Sequence, residues 1–124
     1  MRGLTFDTGA LIALERGRLR MRQIVELALA RELPITVPAD VVGEWWRGRT
    51  DVREAILEAV DVEPLTENLA RVAGEALARV KRSTLVDAVV MASAATRGDV
   101  VFSSDVEDLE RLRAHFPGVR VLGV

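Results

Sequence analysis

The stretch LTFDTGALIAL, from Leu4 to Leu14, joins a candidate strand to a candidate helix. Its first three residues are apolar or β-branched, which is typical of a buried strand, and the apolar residues that follow favour a helix. Asp7 is the only ionisable residue in the stretch and stands where the strand should meet the helix. A carboxylate at that junction either caps the helix or belongs to a polar site.

Short apolar runs alternate with helical patterns along the rest of the chain. The strand candidates are residues 4–6, 35–37, 60–62, 100–102 and 119–122. The helix candidates between them are residues 10–16, 19–32, 39–47, 52–59, 66–80, 85–97 and 106–115. Strands separated by helices predict a parallel sheet covered on both faces. The expected fold class is therefore α/β, a Rossmann-like three-layer α/β/α sandwich with a central parallel sheet of about five strands.

Length and composition exclude several classes of protein. The 124 residues fit one domain, 1–124, which is large enough to bury a core without disulfides. The absence of cysteine excludes thiol catalysis, Cys-based zinc sites and a disulfide scaffold. A formal net charge of −2 gives no overall attraction to nucleic acid, so such contact would need a local basic patch. Neither a signal peptide nor an apolar stretch long enough for a bilayer is visible, so we expect a cytoplasmic protein without membrane contact.

Two acids follow strands at positions where this fold class places its chemistry, and two further acids on helices can join them. Ligands of open α/β sheets bind beyond the C-terminal ends of the strands, where the strand order reverses. Asp7 follows the first strand and Asp105 follows the fourth, so both face one crevice if these strands are neighbours. Glu44 lies at the edge of the apolar stripe of helix 39–47, and Asp87 lies in the first turn of helix 85–97.

Each of these acids also has an ordinary structural interpretation. The candidate N-caps of three helices are Asp7, Thr84 with Asp87 three residues later, and Asp105 or Ser104. Glu44 taken alone fits a solvated surface. The combination of all four acids, rather than any one of them, favours a shared site.

Four segments, in order, resemble the acidic motifs of the PIN domain: FDTGALIAL, PADVVGEWWR, LVDAVVMASAA and VVFSSDVEDL. The resemblance covers essentially the whole chain, and the size is similar to that of the VapC toxins of VapBC toxin–antitoxin pairs. It implies a PIN-like fold in which the catalytic, metal-binding acids are Asp7, Glu44, Asp87 and Asp105. It also implies support from the hydroxyl groups of Thr8 and of Ser103 or Ser104, with Asp108 as a further acid near the cluster.

The physical chemistry of such a cluster also leads to a metal ion. Two carboxylates about 4 Å apart repel by roughly 1 kcal/mol in water and by about 4 kcal/mol at an effective dielectric near 20. Three or four together therefore invite a divalent cation. Because the ligands would be oxygens and His115 is the only histidine, Mg²⁺ or Mn²⁺ is expected rather than zinc.

The resemblance further implies an endoribonuclease that hydrolyses RNA phosphodiester bonds, forms a homodimer and is inhibited by a VapB-like antitoxin. Basic residues beside two of the motifs either contact RNA or are solvated helix ends; they are Arg47, Arg49, Lys81 and Arg82. The arginines of ERGRLRMR, at positions 16, 18, 20 and 22, fit an RNA-contacting rim, a solvated face or an antitoxin contact. Trp46 is expected to project away from the core that holds Trp45, towards a dimer contact, an antitoxin groove or a neighbouring loop.

Two other classes of function remain open. A receiver-like phosphoacceptor domain shares the size, the sheet and an acidic Mg²⁺ site. A receiver domain has paired acids after the first strand, an Asp at the end of the third strand and a Lys at the end of the fifth strand. This chain has a single Asp7, Asp61 inside its third strand, and Lys81 in a helical stretch. A catalytically silent PIN-like binding module is the other alternative, and the presence of all four acids argues against it.

Overall fold

The computed structural model describes residues 2–124, in which five strands alternate with seven helices. The strands are β1 (Leu4–Phe6), β2 (Ile35–Pro38), β3 (Asp61–Glu63), β4 (Val100–Ser103) and β5 (Arg120–Gly123). The helices are α1 (Thr8–Glu15), α2 (Leu19–Ala30), α3 (Ala39–Trp45), α4 (Asp51–Ala59), α5 (Glu67–Arg79), α6 (Leu85–Arg97) and α7 (Val106–Leu112). No helix within residues 2–124 has the length and apolar character needed to cross a membrane.

All the strands are parallel and form one sheet in the order β3-β2-β1-β4-β5. The chain runs outward from β1 through β2 to β3, then returns to β4 on the other side of β1. The strand order therefore reverses between β1 and β4, where Phe6 pairs with Phe102. Asp7 and Asp105 follow the carboxyl ends of these two strands. The two strands are neighbours at the switch point, which was the condition for both acids to face one crevice.

The core lies on both sides of the three central strands. Every residue of β1 and β4 is buried, and the rings of Phe6 and Phe102 meet edge to face at 6.0 Å. Helix α6 packs on β1, β2 and β4 and carries α5 and α7 beside it. Its residues from Ala88 to Ala94 are all buried. Helix α1 packs on β1 and β4 and contacts α2, α3 and α4, so the predicted three-layer α/β/α sandwich is confirmed.

Several element ends differ from the predictions for local reasons. Helix α1 begins at Thr8 instead of residue 10, because the Asp7 side chain accepts a hydrogen bond from the Ala10 N–H and caps the helix there. Helix α7 ends at Leu112 and not at His115. The N–H groups of residues 113–115 bond to carbonyls three residues back, which is the tighter turn that commonly ends a helix.

The sequence suggested that Trp45 and Trp46 lie on one helix, but in the structure they do not. Helix α3 ends at Trp45, and Trp46 has an extended backbone with φ −68° and ψ 126°. Trp45 is buried in the core, and Trp46 is half-buried with its ring edge to face on Trp45 at 6.1 Å. The expectation that Trp46 projects away from the core is therefore wrong, because the change of backbone direction lets both rings pack together.

Candidate active site

Asp7 lies at the switch point and is both the cap of α1 and a buried carboxylate. Its Oδ1 accepts a hydrogen bond from the Ala10 N–H at 2.9 Å, and its Oδ2 accepts one from the Ser103 hydroxyl at 2.5 Å. The residue is only 6% exposed. Burial raises the pKa of Asp7 and the charges of Asp105 and Glu44 raise it further, against the lowering effect of both hydrogen bonds.

Ser103 connects the two strand ends at the switch point. Besides donating to Asp7, its Oγ accepts a hydrogen bond from the Asp105 N–H at 2.8 Å. Ser103 is fully buried at the end of β4, whereas Ser104 is exposed. Of the two hydroxyl groups that the resemblance offered, the structure therefore brings Ser103 to the acid.

Gly9 allows the loop between β4 and α7 to lie against α1. A Cβ built at position 9 would be 1.7 Å from the Oγ of Ser104 and 2.8 Å from its Cβ. Rotation of the serine side chain would relieve only the first of these contacts. The position of Asp105 therefore depends on the absence of a side chain at Gly9.

Glu44 is held by α1. The Thr8 hydroxyl donates a hydrogen bond to Glu44 Oε1 at 2.6 Å, so Thr8 contacts the acid as the resemblance implied. Helix α3 is fixed at its end by Glu15, which accepts hydrogen bonds from Trp45 Nε1 at 2.8 Å and from Arg53 Nε at 3.1 Å. The Glu15 carboxylate thus connects α1 with α3 and α4, next to the exposed Glu44.

Asp87 is half-buried in the first turn of α6. Thr84 caps this helix by accepting a hydrogen bond from the Asp87 N–H at 3.2 Å, so the capping interpretation of the Thr84–Asp87 pair holds as well. Burial raises the pKa of Asp87, and the charges of Asp7, Asp108 and Glu44 add to the effect. Its carboxylate therefore experiences acids from three other elements.

Asp105 and Asp108 form a pair on the β4–α7 side. Hydrogen bonding with the Asp108 carboxyl is the largest cause that raises the pKa of Asp105, followed by burial and by the charges of Asp108 and Asp87. The same interaction, together with Arg111, lowers the pKa of Asp108. Arg111 forms an ion pair with Asp108 and also donates to the Arg82 carbonyl at 3.4 Å. Asp105 begins α7 without a side-chain capping bond, so its carboxylate is not used to cap the helix.

The predicted acids therefore lie along one edge of the sheet, where the charges of neighbouring acids contribute to the raised pKa values of Asp7, Asp87 and Asp105, but they do not converge. Within residues 2–124, no three acidic or histidine side chains are close enough to hold one ion. Asp7 is engaged by Ser103, Glu44 by Thr8, and Asp108 by Arg111. The donor set is all carboxylate and hydroxyl oxygen, which suits Mg²⁺ or Mn²⁺. The chemistry of the residues fits such an ion, and side-chain rotation would have to bring them onto it.

Sequence reasoning missed Asp40 and Glu15. Burial raises the pKa of Asp40, and the Glu44 charge contributes to the shift. Its Oδ2 is buried and has no hydrogen-bond partner within residues 2–124. The spacing of four residues to Glu44 places Asp40 on the same helical face and could have revealed it. No local signal could have revealed Glu15, because its partners are 30 and 38 residues away.

The predicted basic residues lie beside this edge of the sheet and make few contacts with it. Arg47 donates to its neighbour's carbonyl, that of Trp46, at 2.9 Å, and Arg49 lies 3.7 Å from Glu54. Lys81 and Arg82 are exposed in the loop between α5 and α6. They remain candidates for contact with an anionic ligand.

Fold and site together define a doubly wound α/β domain with carboxylates spread along the edge of the sheet that contains its switch point. Residues 4–114 match the PIN domain family, and the chain belongs to that family. PIN domains are generally nucleases. Membership of the PIN family rules out the receiver interpretation. Asp61, which that interpretation would have needed at the end of the third strand, is an exposed residue at the start of the edge strand β3. No curated protein sequence matches the chain.

Solved structures share the fold at low sequence identity. A chain in the crystal structure of VapBC2 from Rickettsia felis, bound to a DNA fragment from their promoter, has a TM-score of 0.78 at 10% identity, with 98% of each chain covered. DNA-bound VapBC from Salmonella typhimurium gives 0.77 at 18% identity, covering 99% of this chain and 98% of that one. A toxin–antitoxin complex from Klebsiella pneumoniae gives 0.70 at 20% identity, covering 97% and 96%. The predicted PIN-like fold is thereby confirmed.

Proposed function

We propose that this protein is a Mg²⁺- or Mn²⁺-dependent endoribonuclease and the toxin of a VapBC-like toxin–antitoxin pair. The observation that carries the proposal is electrostatic. Asp7, Glu44, Asp87 and Asp105 come from four separate segments. Burial is the largest cause of the raised pKa values of Asp7 and Asp87, and the charges of neighbouring acids add to the shift there and at Asp105. In a PIN domain, acids that destabilise one another at the switch point are best explained by a cation that they are built to receive.

The residues that would hold the ion are Asp7, Glu44, Asp87 and Asp105, with Asp108 as a neighbour. When bound, such an ion lowers the pKa of a coordinated water and neutralises charge on a phosphodiester. The chain itself supplies the placement of the acids. Ser103 fixes the Oδ2 of Asp7, and Thr8 fixes the Oε1 of Glu44. The cap at Ala10 holds the other oxygen of Asp7, so this carboxylate is oriented before any ligand arrives.

The proposed partners follow from the family and from the fold. The similar structures from Rickettsia felis and Salmonella typhimurium are described as VapBC bound to DNA. We therefore propose a VapB-like antitoxin as the inhibitor, a homodimer as the assembled form and the cytoplasm as the compartment. A PIN-like module that only binds a partner is less consistent with two acids, Asp7 and Glu44, whose carboxylates are oriented by the hydroxyls of Ser103 and Thr8.

A cleavage assay tests the proposal. The purified chain is incubated with end-labelled single-stranded RNA or with DNA of the same sequence, each with Mg²⁺, Mn²⁺ or chelator. We expect internal RNA cleavage that requires the metal and is suppressed by a co-expressed antitoxin. Metal-independent cleavage, or no RNA cleavage with either ion, would contradict the proposed activity.

A further inference from the structure

Two clefts lie on either side of Arg16 and meet the acidic edge at different points. The first has a volume of about 400 Å³ and is lined by Ile12, Arg16, Arg18 and Ser104, among others. The second, of about 220 Å³, is lined by Ile12, Arg16, Glu44 and Arg47, among others. Because Ile12 and Arg16 line both clefts, the two clefts adjoin along α1, and we call the pair the α1 groove. It begins beside Ser104, the neighbour of Asp105, and reaches Glu44 on the other side.

The cations of the first cleft are not neutralised by the protein. Arg16 and Arg18 are exposed, and across residues 2–124 neither has a carboxylate within 4.0 Å. Arg53, in the second cleft, differs because Glu15 pairs with it at 3.0 Å. Arg20, two residues after Arg18, donates to the Gly123 carbonyl at 3.0 Å. Two guanidinium groups without a carboxylate partner therefore line a cleft that extends to Ser104, the neighbour of Asp105.

Resting on the proposed function, we propose that the α1 groove binds the sugar–phosphate backbone of the RNA strand beside the scissile bond. Arg16 and Arg18 contact its phosphates. Guanidinium groups match phosphate oxygens in charge and geometry, and a backbone contact of this kind fixes the register of a strand. The rest of the lining is Gly9, Ile12, Ala13, Ser104 and Val124, so the two arginines are the cationic side chains that the first cleft offers to a phosphate. This arrangement also explains how a chain with a net charge of −2 attracts a polyanion locally.

Salt-dependent binding tests this assignment separately from catalysis. Fluorescence anisotropy with a labelled single-stranded RNA, in chelator, measures affinity across a range of salt concentrations for the parent and for Arg16→Gln/Arg18→Gln. Each lost phosphate contact lowers the slope of log K against log salt by about 0.7, so we expect a decrease of about 1.4. Affinity at low salt should fall by roughly tenfold. Arg16→Lys/Arg18→Lys should restore most of the slope, because the charge is retained.

The matched control is Arg31→Gln/Arg120→Gln, which removes the same charge at the opposite end of the sheet. An equal loss in this control would show an effect of net charge and would overturn the groove assignment. So would an unchanged slope in Arg16→Gln/Arg18→Gln, or a loss of antitoxin affinity without loss of RNA affinity. A parent that binds RNA through the arginines but cleaves none with Mn²⁺ would refute the proposed activity and leave the groove standing. If the parent cleaves RNA and Arg16→Gln/Arg18→Gln binds RNA as the parent does, the proposed activity stands and the groove assignment is refuted.

Discussion

The hydroxyl of Ser103 donates a hydrogen bond to the Oδ2 of Asp7 and so joins the carboxyl ends of β4 and β1. The same oxygen accepts the N–H of Asp105. One buried side chain therefore orients the first acid and the loop that carries the fourth. The arrangement makes Ser103 a positioning residue whose effect is separable from the charge of the acids.

We expect Ser103→Ala to lower both stability and cleavage. The substitution leaves a buried carboxylate oxygen and a backbone N–H without their partner, at a cost of about 1–3 kcal/mol in the free energy of unfolding. Urea unfolding of the parent and variant measures the loss. Ser104→Ala is the control, because the Ser104 side chain is exposed and makes no such bond. Equal stability of Ser103→Ala and the parent would contradict the role given to Ser103.

Asp7→Asn, Glu44→Gln and Asp87→Asn should each abolish metal-dependent RNA cleavage and relieve growth arrest on expression. Each change removes a charged donor and keeps the shape of the side chain. The readouts are cleavage rate at fixed Mn²⁺ and growth after induction. Asp61→Asn makes the same change of charge at the exposed start of β3 and should retain activity. Full cleavage by all three purified acid variants would show that the acids are structural.

Gly9→Ala should impair the site by displacing the loop that carries Asp105. The added Cβ would overlap the Ser104 side chain, so helix propensity cannot compensate. Gly74→Ala is the matched control in α5, where the added Cβ meets no atom within 4 Å. Removing a helical glycine there should stabilise the protein by about 0.5–1 kcal/mol. Thermal melts and cleavage rates of both variants check the contrast, and a Gly9→Ala protein with parental activity would refute it.

The metal-free protein should lose stability, relative to Asp7→Asn, as the pH rises. The folded state raises the pKa of Asp7 above its ordinary value of 3.8, so the folded state holds the proton more tightly than the unfolded chain does. That contribution is complete below the unfolded pKa and is lost as the pH rises through the raised folded value. Asp87 shifts in the same direction. In chelator, the gap in Tm between Asp7→Asn and the parent should be larger at neutral pH than near about pH 4; a gap that does not vary with pH would argue against the raised pKa.

The fold and the edge of the sheet that carries the candidate site were predictable because both follow from local patterns. Asp7 and Asp105 each follow a strand. When these two parallel strands are neighbours, both residues lie at one crevice. The contacts that orient the acids were not predictable, since Ser103 and Asp7 are 96 residues apart and Thr8 and Glu44 are 36 apart. Capping and site roles also coexist at Asp7, where the sequence offered them as alternatives. The early end of α7 depends on the tightened turn at residues 113–115, which the helical pattern does not show.

The most direct test of the central claim, that the acids form a cation site, is the Tm of the parent and of Asp7→Asn with chelator and with Mn²⁺. A free ion concentration about ten times the dissociation constant stabilises a binding protein by roughly 1.4 kcal/mol, which is a few degrees for a domain of this size. We expect that shift in the parent and its near-absence in Asp7→Asn. The metal-free variant should melt no lower than the metal-free parent, because one repelling charge has gone and Asn caps a helix about as well as Asp. Equal Mn²⁺ responses in the two proteins would mean that Asp7 is only the cap of α1, and would contradict the proposed site.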